Sequence, residues 1–195
     1  MGDSVWGAVE VNVEPDGTAD PWFLAASLRP FVGSWLYAWQ CLFGWEDDDV
    51  FDPVSPDGRG LPDDLSSDVE RHYHEVDSWG ENHVTLAELR AVDWQEVSPR
   101  ETILWQRREA EGLECPLSGR DEDALSTEQL ETLDAGGQVT TTTYVGHTVT
   151  VTRERLTREF VCRAAGWWWV IHELMEHLTD RIYRPEGVRL VVWRW

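Results

Sequence analysis

Val5, Val9, Val11 and Val13 share one parity and Glu10, Asn12 and Glu14 the other. This period of two predicts an opening β-strand. Pro15-Asp16-Gly17 marks a turn after it. Asp20 followed by Pro21 reads as an N-cap with proline at the first helical position, so a helix is expected from Trp22. It must end by Arg29, because the residue before Pro30 avoids the α region. Ser34 to Phe43 is apolar on nearly every side, as a buried helix requires, and Gly44 supplies the stop. Glu46 to Asp64 is acidic, holds three prolines and predicts a long loop of the kind that often carries function.

Ser67-Asp68-Val69-Glu70, Thr85-Leu86-Ala87-Glu88 and Ser98-Pro99-Arg100-Glu101 each set a hydroxyl three residues before a carboxylate. In such a box the hydroxyl accepts from a free backbone N–H and the carboxylate reaches back to another. The spacing predicts helices near 67–77, 86–92 and 99–111. Asp121 to Leu133 reads as a further acidic helix stopped by Gly136-Gly137. Val139 to Thr152, rich in Thr and Val with Gly146-His147 near its middle, reads as a β-hairpin or as a strand leading into a helix. Arg153 to Arg163 reads as helical through Leu156 and Phe160. Trp167, Ile171, Leu174, Leu178 and Ile182 form an apolar helical stripe that Pro185-Glu186-Gly187 ends. Val188 to Trp193 is the most β-like segment and a central strand is expected there. No internal repeat or linker interrupts the chain. The expectation is one α+β domain over residues 1–195. A small sheet, made from the N-terminal strand, the 139–152 segment and the 188–193 strand, packs with several helices.

Composition changes this picture in three ways. First, 42% apolar residues can fill a core, which excludes a disordered acidic tail. Second, 37 acids against 16 bases, all of them Arg, give a net charge of −21. Phosphates would be repelled, so free nucleic acid is not an expected partner, whereas a DNA-binding protein would be attracted. The alternative is charge that serves solubility in a salt-adapted host. The charge is uneven: Glu46 to Glu70 holds ten acids and one base, while Arg153 to Trp195 holds eight Arg and six acids. Third, Cys41, Cys115 and Cys162 are odd in number and form no C-x-x-C pair. Neither a disulfide framework nor a zinc ribbon is expected, and a reducing cytoplasm is the natural compartment. The run Trp167–Ile171 falls far short of the roughly 20 residues of a membrane span. Met1-Gly2-Asp3-Ser4 lacks the basic region of a secretory signal. Thirteen Trp are enough both to fill a core and to leave a stacking platform.

The chemistry-bearing strings are weak. His172-Glu173-Leu174-Met175-Glu176-His177 resembles zinc-protease motifs, but its two His are five residues apart. That is roughly 140° around a helix, where one zinc ion needs them one turn apart. His172/Glu176 and Glu173/His177 are therefore expected as ordinary i,i+4 pairs. His72-Tyr73-His74-Glu75 with Asp77 offers metal-type ligands that could share an ion on a strand or loop, but a polar helix face is the simpler expectation, and Asp47-Asp48-Asp49 reads as a solvated acidic turn without EF-hand spacing. Arg107-Arg108 and Arg153, Arg155 and Arg158 can grip phosphate, but salt bridges with the many carboxylates are the simpler expectation. No P-loop, GxGxxG, GxSxG or Cys-His pattern occurs.

Gly60-Leu61-Pro62-Asp63-Asp64-Leu65-Ser66, then Trp79-Gly80-Glu81-Asn82-His83, Val84-Thr85-Leu86-Ala87-Glu88-Leu89 and Asp93-Trp94 follow a familiar order. The chain resembles a family of small phage and prophage proteins that usually begin Met-Gly-Cys-Asp-Ile-His and carry a Gly-Leu-Pro-Asp-Asp segment. Val188-Arg189-Leu190-Val191-Val192-Trp193 is similar to that family's last strand, and Leu42-Phe43 to the Leu-Phe of its early helix. The opening Cys and His are missing here, and Gly80-Glu81-Asn82-His83 replaces an Asp-Gly-His-Ser element. The resemblance implies a phage origin and a host-cell cytoplasmic setting, and no reaction.

Gly-Leu-Pro-Asp-Asp admits two readings: an Asp that caps the next helix, or paired carboxylates that line a pocket with His83. The expected ligand-binding residues are Asp63, Asp64, Trp79, His83, Arg107 and Arg155, with no catalytic residue, metal ligand or cofactor assigned. The leading expectation is a non-enzymatic accessory protein suited to counter-defence. It would bind a host protein through an acidic face, or a small ligand in a Trp- and Arg-lined pocket. The alternative is a metal-assisted hydrolase or nucleotide-acting enzyme using Asp63, Asp64 and His83.

Overall fold

The computed structural model of the chain describes residues 5–12, 22–29, 37–45, 51–56, 58–75, 77–108, 113–164, 167–180 and 183–194. In chain order the elements are β1 (Val5–Val11), β2 (Phe23–Ser27), α1 (Tyr37–Phe43), α2 (Ser67–His74), β3 (Trp79–Thr85) and α3 (Leu86–Arg90). There follow β4 (Val97–Arg108), β5 (Leu113–Pro116), α4 (Gly119–Glu122), α5 (Thr127–Asp134), β6 (Gln138–Thr142) and β7 (Thr148–Thr157). The last are α6 (Arg158–Ala164), α7 (Trp167–Thr179), a 3₁₀ turn at Pro185–Gly187 and β8 (Val188–Arg194). The class is α+β. Contacts divide the chain into two compact units, Met1–Trp94 with Val161–Trp195, and Gln95–Phe160. Each holds a four-stranded antiparallel sheet, so the 139–152 hairpin builds a different sheet from the terminal strands.

The first unit's sheet has the order β2-β1-β8-β3. β8 is central, as its high content of Val, Leu and Trp demands, and all seven of its residues, Arg189 and Arg194 included, are buried. β1 lies beside it with Ala8 opposite Val191 and Glu10 opposite Arg189. The polar parity of β1 is not a solvent face: Glu10 and Asn12 are as buried as the valines. Gly7 is where the two backbones close in, since a Cβ there would lie 2.1 Å from the Val191 carbonyl oxygen. On one face Val69 of α2 joins Ala8, Val191 and Trp193, while α3 and α7 also pack against β8.

Two expected helices are strands. Phe23–Ser27 was read from Asp20-Pro21 as helix; it pairs antiparallel with β1 instead. Five residues close barely one helical turn, whereas strand pairing gives four of them a ladder partner on β1, Ala25 falling at the register shift between Val9 and Glu10. Phe23 and Ala25 are exposed and Leu24 and Ala26 half-buried, a period of two. Residues 99–108 likewise do not form the expected helix, and 109–111 lie outside the described residues. Most of that stretch is β4, paired with both β5 and β7. The Ser98 hydroxyl accepts from the Arg100 N–H (3.2 Å), and Glu101 takes a left-handed φ of 56°, so the capping-box string shapes a register break between Val97 and Thr102. The helix expected from Arg153 begins only at Arg158, because Thr148–Thr157 continues as β7.

Other expectations hold or shift slightly. Thr85 and Glu88 form the full capping box. α2 starts as read, but its cap is Ser66, not Ser67. The acidic helix of 121–133 is two helices, α4 capped by Ser118 and α5 capped by Ser126 with Gln129, and Gly136 ends the second at φ 79°. Gly44 follows α1 at φ 66°. α7 buries Trp168, Ile171 and Met175, a seam rotated slightly from the stripe read in the sequence. The turn at 15–17, Asp20-Pro21, Ser34–Leu36, Asp47–Asp49 and Ile182 lie outside the described residues. In the second unit Leu104, Leu117, Leu125, Leu133, Val149 and Val151 form the core. Cys41, Cys115 and Cys162 are buried thiols, and no disulfide joins them.

Candidate functional site

α2 is placed by its own start. The Ser66 hydroxyl accepts from the Val69 N–H (3.3 Å) and the Ser66 N–H donates to the buried Glu10 carboxylate (2.8 Å). Val69, His72 and Glu75, spaced i, i+3, i+6, then share one side of the helix and its end. Below them Trp6 of β1 stands directly opposite Trp193 of β8 in the strand register. Residues so paired have their Cβ atoms about 5 Å apart. Leu24 and Ser27 come from β2, and Arg29 follows it. These side chains, with Ala8 and Gly7, enclose a cleft of about 250 Å³ in the first unit.

Its floor is apolar and rigid. Trp193 is 1% exposed and is met edge-on by Tyr73, 5.6 Å between centroids at 88°. The Tyr73 hydroxyl donates to Glu81 (2.6 Å), which fixes that ring in turn. This bond, with burial assisting, raises the phenol's pKa. The buried Trp193 indole N–H meets no acceptor. The rim is polar: Arg29, His72 and Glu75 are exposed there. The Arg29 guanidinium lies 5.3 Å from the centre of the Trp6 ring, within cation–π reach.

The residues singled out from sequence sit elsewhere. Asp63 is exposed at a turn. Asp64 has both carboxylate oxygens engaged, Oδ1 by Arg189 (2.6 Å) and Oδ2 by the Trp22 indole (2.8 Å), while its carbonyl accepts a second Arg189 N–H (2.9 Å). Burial pushes its pKa up, but Arg189 and Trp22 outweigh this and hold the carboxyl below its usual range. It thus clamps the 58–66 loop to the sheet and caps no helix, that role falling to Ser66. His83 is half-buried and its Nδ1 is 2.9 Å from the Gly60 carbonyl oxygen. Burial first, then the charges of Arg59 and Arg189, lower its pKa, so the ring is neutral at pH 7 and Nδ1 carries the donated hydrogen. Asp64 and His83 thus share the surroundings of Arg189. Trp79 is 48% exposed and stacks under the Arg194 guanidinium at 3.9 Å. Arg107 and Arg155 belong to the second unit's sheet. There Arg107 pairs with Glu114 (2.6 Å), and Arg153 and Arg158 meet Asp134 and Glu96, the salt bridges expected of these arginines. Sequence reasoning missed Trp6, Arg29, His72, Glu75 and Trp193 as one group. The parity that puts Trp6 with Ala8 was legible, but nothing local says that Trp193 opposes it.

The His172 string is no solvated pair. His172 is ringed by Trp94, Trp168 and Trp169 at 5.6, 6.0 and 5.2 Å between centroids. Burial lowers its pKa, so its 3.8 Å approach to Glu176 is not an ion pair at neutral pH. His177 instead lies outside, 3.7 Å from Asp180, as the wide angle between the two His requires. With the folded pKa below the ordinary histidine value of 6.5, the unfolded chain takes up the proton first as pH falls. Stability is therefore expected to be full above about pH 6.5 and to decline below it. His172→Phe, which keeps a ring among the three Trp, should flatten that decline in urea unfolding at pH 8, 6 and 5. An unchanged slope would contradict it.

Among the described residues no helix is long and apolar enough to cross a membrane. No protein-family model, curated protein or solved structure matches the chain.

Proposed function

We propose that the chain is a binding protein whose first unit holds a small aromatic ligand in the cleft between α2 and the β2–β1–β8 side of its sheet. The observation that carries this reading is the opposed Trp6–Trp193 pair, one ring locked by Tyr73, beneath an opening rimmed by Arg29, His72 and Glu75. Apolar walls with a few convergent polar groups are the usual make-up of a ligand site. At about 250 Å³ the cleft is small, suited to one ring and its substituents. The resemblance of the 60–94 segments to phage proteins supports an accessory role in the cytoplasm of an infected host.

Benzamide, benzoate, indole and adenine are the probes for this reading. At least one is expected to raise the melting temperature. A ligand at a hundred times its Kd stabilises by about 2.7 kcal/mol, which is roughly 5–10 °C for a chain of this size. Ser27→Phe, which fills the cleft from the edge strand, should abolish the rise. No rise with any of the four at millimolar concentration would overturn the proposal.

A second reading, a protein partner for the second unit, is favoured by one observation. Tyr144 and Val145 at the β6–β7 hairpin tip are 62% and 54% exposed. The tip is rigid because the buried Asp121 carboxylate accepts from the Tyr144 N–H (2.7 Å) and from the Ser118 hydroxyl (2.6 Å). Arg120 lies over the Tyr144 ring at 4.8 Å, and Tyr with Arg is a frequent hot-spot pair. Glu122 and Asp123 follow, so the partner surface would be basic. A host protein retained by the wild type and lost by the Tyr144→Ser, Val145→Ser double variant supports this reading; equal retention contradicts it.

A further inference from the structure

We infer that the ligand of the cleft is a flat aromatic compound bearing one anionic group, with its ring against Trp6 and Trp193 and its anion at Arg29. This rests on the cleft being a ligand site and adds the chemistry of what it selects.

Charge carries the argument. The protein has an excess of 21 acids, and Arg59, Arg90, Arg107, Arg153, Arg158 and Arg189 each meet a carboxylate. Arg29 meets none among the described residues and lies instead over the face of Trp6. Its main-chain N–H is held by the Ser27 hydroxyl at 3.2 Å, which fixes the base of the side chain at the cleft edge. A guanidinium parked on a ring keeps its hydrogen-bonding fork available, and that fork matches a carboxylate or phosphate oxygen pair. The stacking also sets the cation beside the surface on which the ligand's ring would lie. His72 adds ring N–H capacity on the α2 side. Glu75 is the counterweight. A carboxylate at the rim suits a ring amino or hydroxyl hydrogen on the ligand. The volume excludes a dinucleotide.

An aromatic carboxylate and a nucleoside monophosphate share this chemistry, so the titration has four arms, read by tryptophan fluorescence and calorimetry. These are benzoate, its neutral counterpart benzamide, adenosine 5′-monophosphate and inorganic phosphate. Benzoate or the nucleotide is expected to bind at least ten times tighter than benzamide and than inorganic phosphate, and whichever of the two is tighter identifies the source. Arg29→Gln should remove that advantage, bringing benzoate and nucleotide affinity down to that of benzamide, and Arg29→Lys should restore part of it. Benzamide binding as tightly as both anions, or anion affinity untouched in Arg29→Gln, overturns the inference and leaves the cleft as a ligand site. Inorganic phosphate binding as tightly as the nucleotide and benzoate overturns the role of the ring. No binding by any arm overturns the inference together with the cleft reading.

Discussion

Arg189→Met is expected to destabilise the protein by about 3–5 kcal/mol, the range for removing one partner of a buried charge pair. Arg189 is 4% exposed and Glu10 fully buried, and the Arg189 Nε donates to Glu10 Oε2 at 2.7 Å. The same guanidinium holds Asp64 and lies 3.7 Å over the Trp22 ring. Methionine fills much of the volume but leaves the Glu10 carboxylate buried with only the Ser66 N–H for company. Adding Glu10→Gln removes the stranded charge, so the double variant should recover a large part of the loss. Urea unfolding of the two single variants and the double measures this coupling directly. A loss under 1 kcal/mol in Arg189→Met would show that the network is dispensable. The acid side carries a second signature. Asp64 ionises more readily in the folded protein than an ordinary aspartate, whose pKa is 3.8. Its contribution is thus complete above the unfolded carboxylate range and fades as pH falls through the folded value. Since the Asp64 side chain is 67% exposed, that contribution is modest and screened by salt.

Trp39→Ala should cost about as much, about 3–5 kcal/mol, for a different reason. Trp39 is fully buried in α1 and touches Phe43, Trp45 and Trp168 at 5.8, 6.0 and 6.3 Å between centroids. Alanine removes the transfer energy of a whole indole and leaves a cavity lined by three rings that cannot collapse together. Guanidinium unfolding followed by near-ultraviolet circular dichroism reads both the lost stability and the lost aromatic order. Trp39→Phe should fall between. An alanine variant within 1 kcal/mol of wild type would mean that this cluster is not the core of the first unit.

What the sequence revealed and concealed follows the range of the interactions. Thr85 with Glu88 and the hairpin around Gly146 are settled within a few residues, and both were legible. Val188–Trp193 declares itself by composition, because a strand buried on both faces needs no alternation. β2 and β4 were misread since Asp20-Pro21 and Ser98-Pro99-Arg100-Glu101 carry helix-start chemistry that strand neighbours override. Arg189 meets Glu10 and Asp64 across 179 and 125 residues, so the Gly-Leu-Pro-Asp-Asp segment could not disclose that its second carboxylate is a clamp. The cleft was hidden for the same reason. An aromatic and arginine-lined pocket was expected, but Trp6 and Trp193 face each other only through the register of the first and last strands.

Indole N–H resonances test the cleft most directly. In nitrogen-15 spectra, with Trp6→Phe and Trp193→Phe used to assign their signals, a stabilising aromatic probe should shift the Trp6 and Trp193 peaks in proportion to saturation. The peaks of the core residues Trp39 and Trp168 should stay still. Saturable shifts confined to other tryptophans, with Trp6 and Trp193 unmoved, would show that the ligand sits elsewhere.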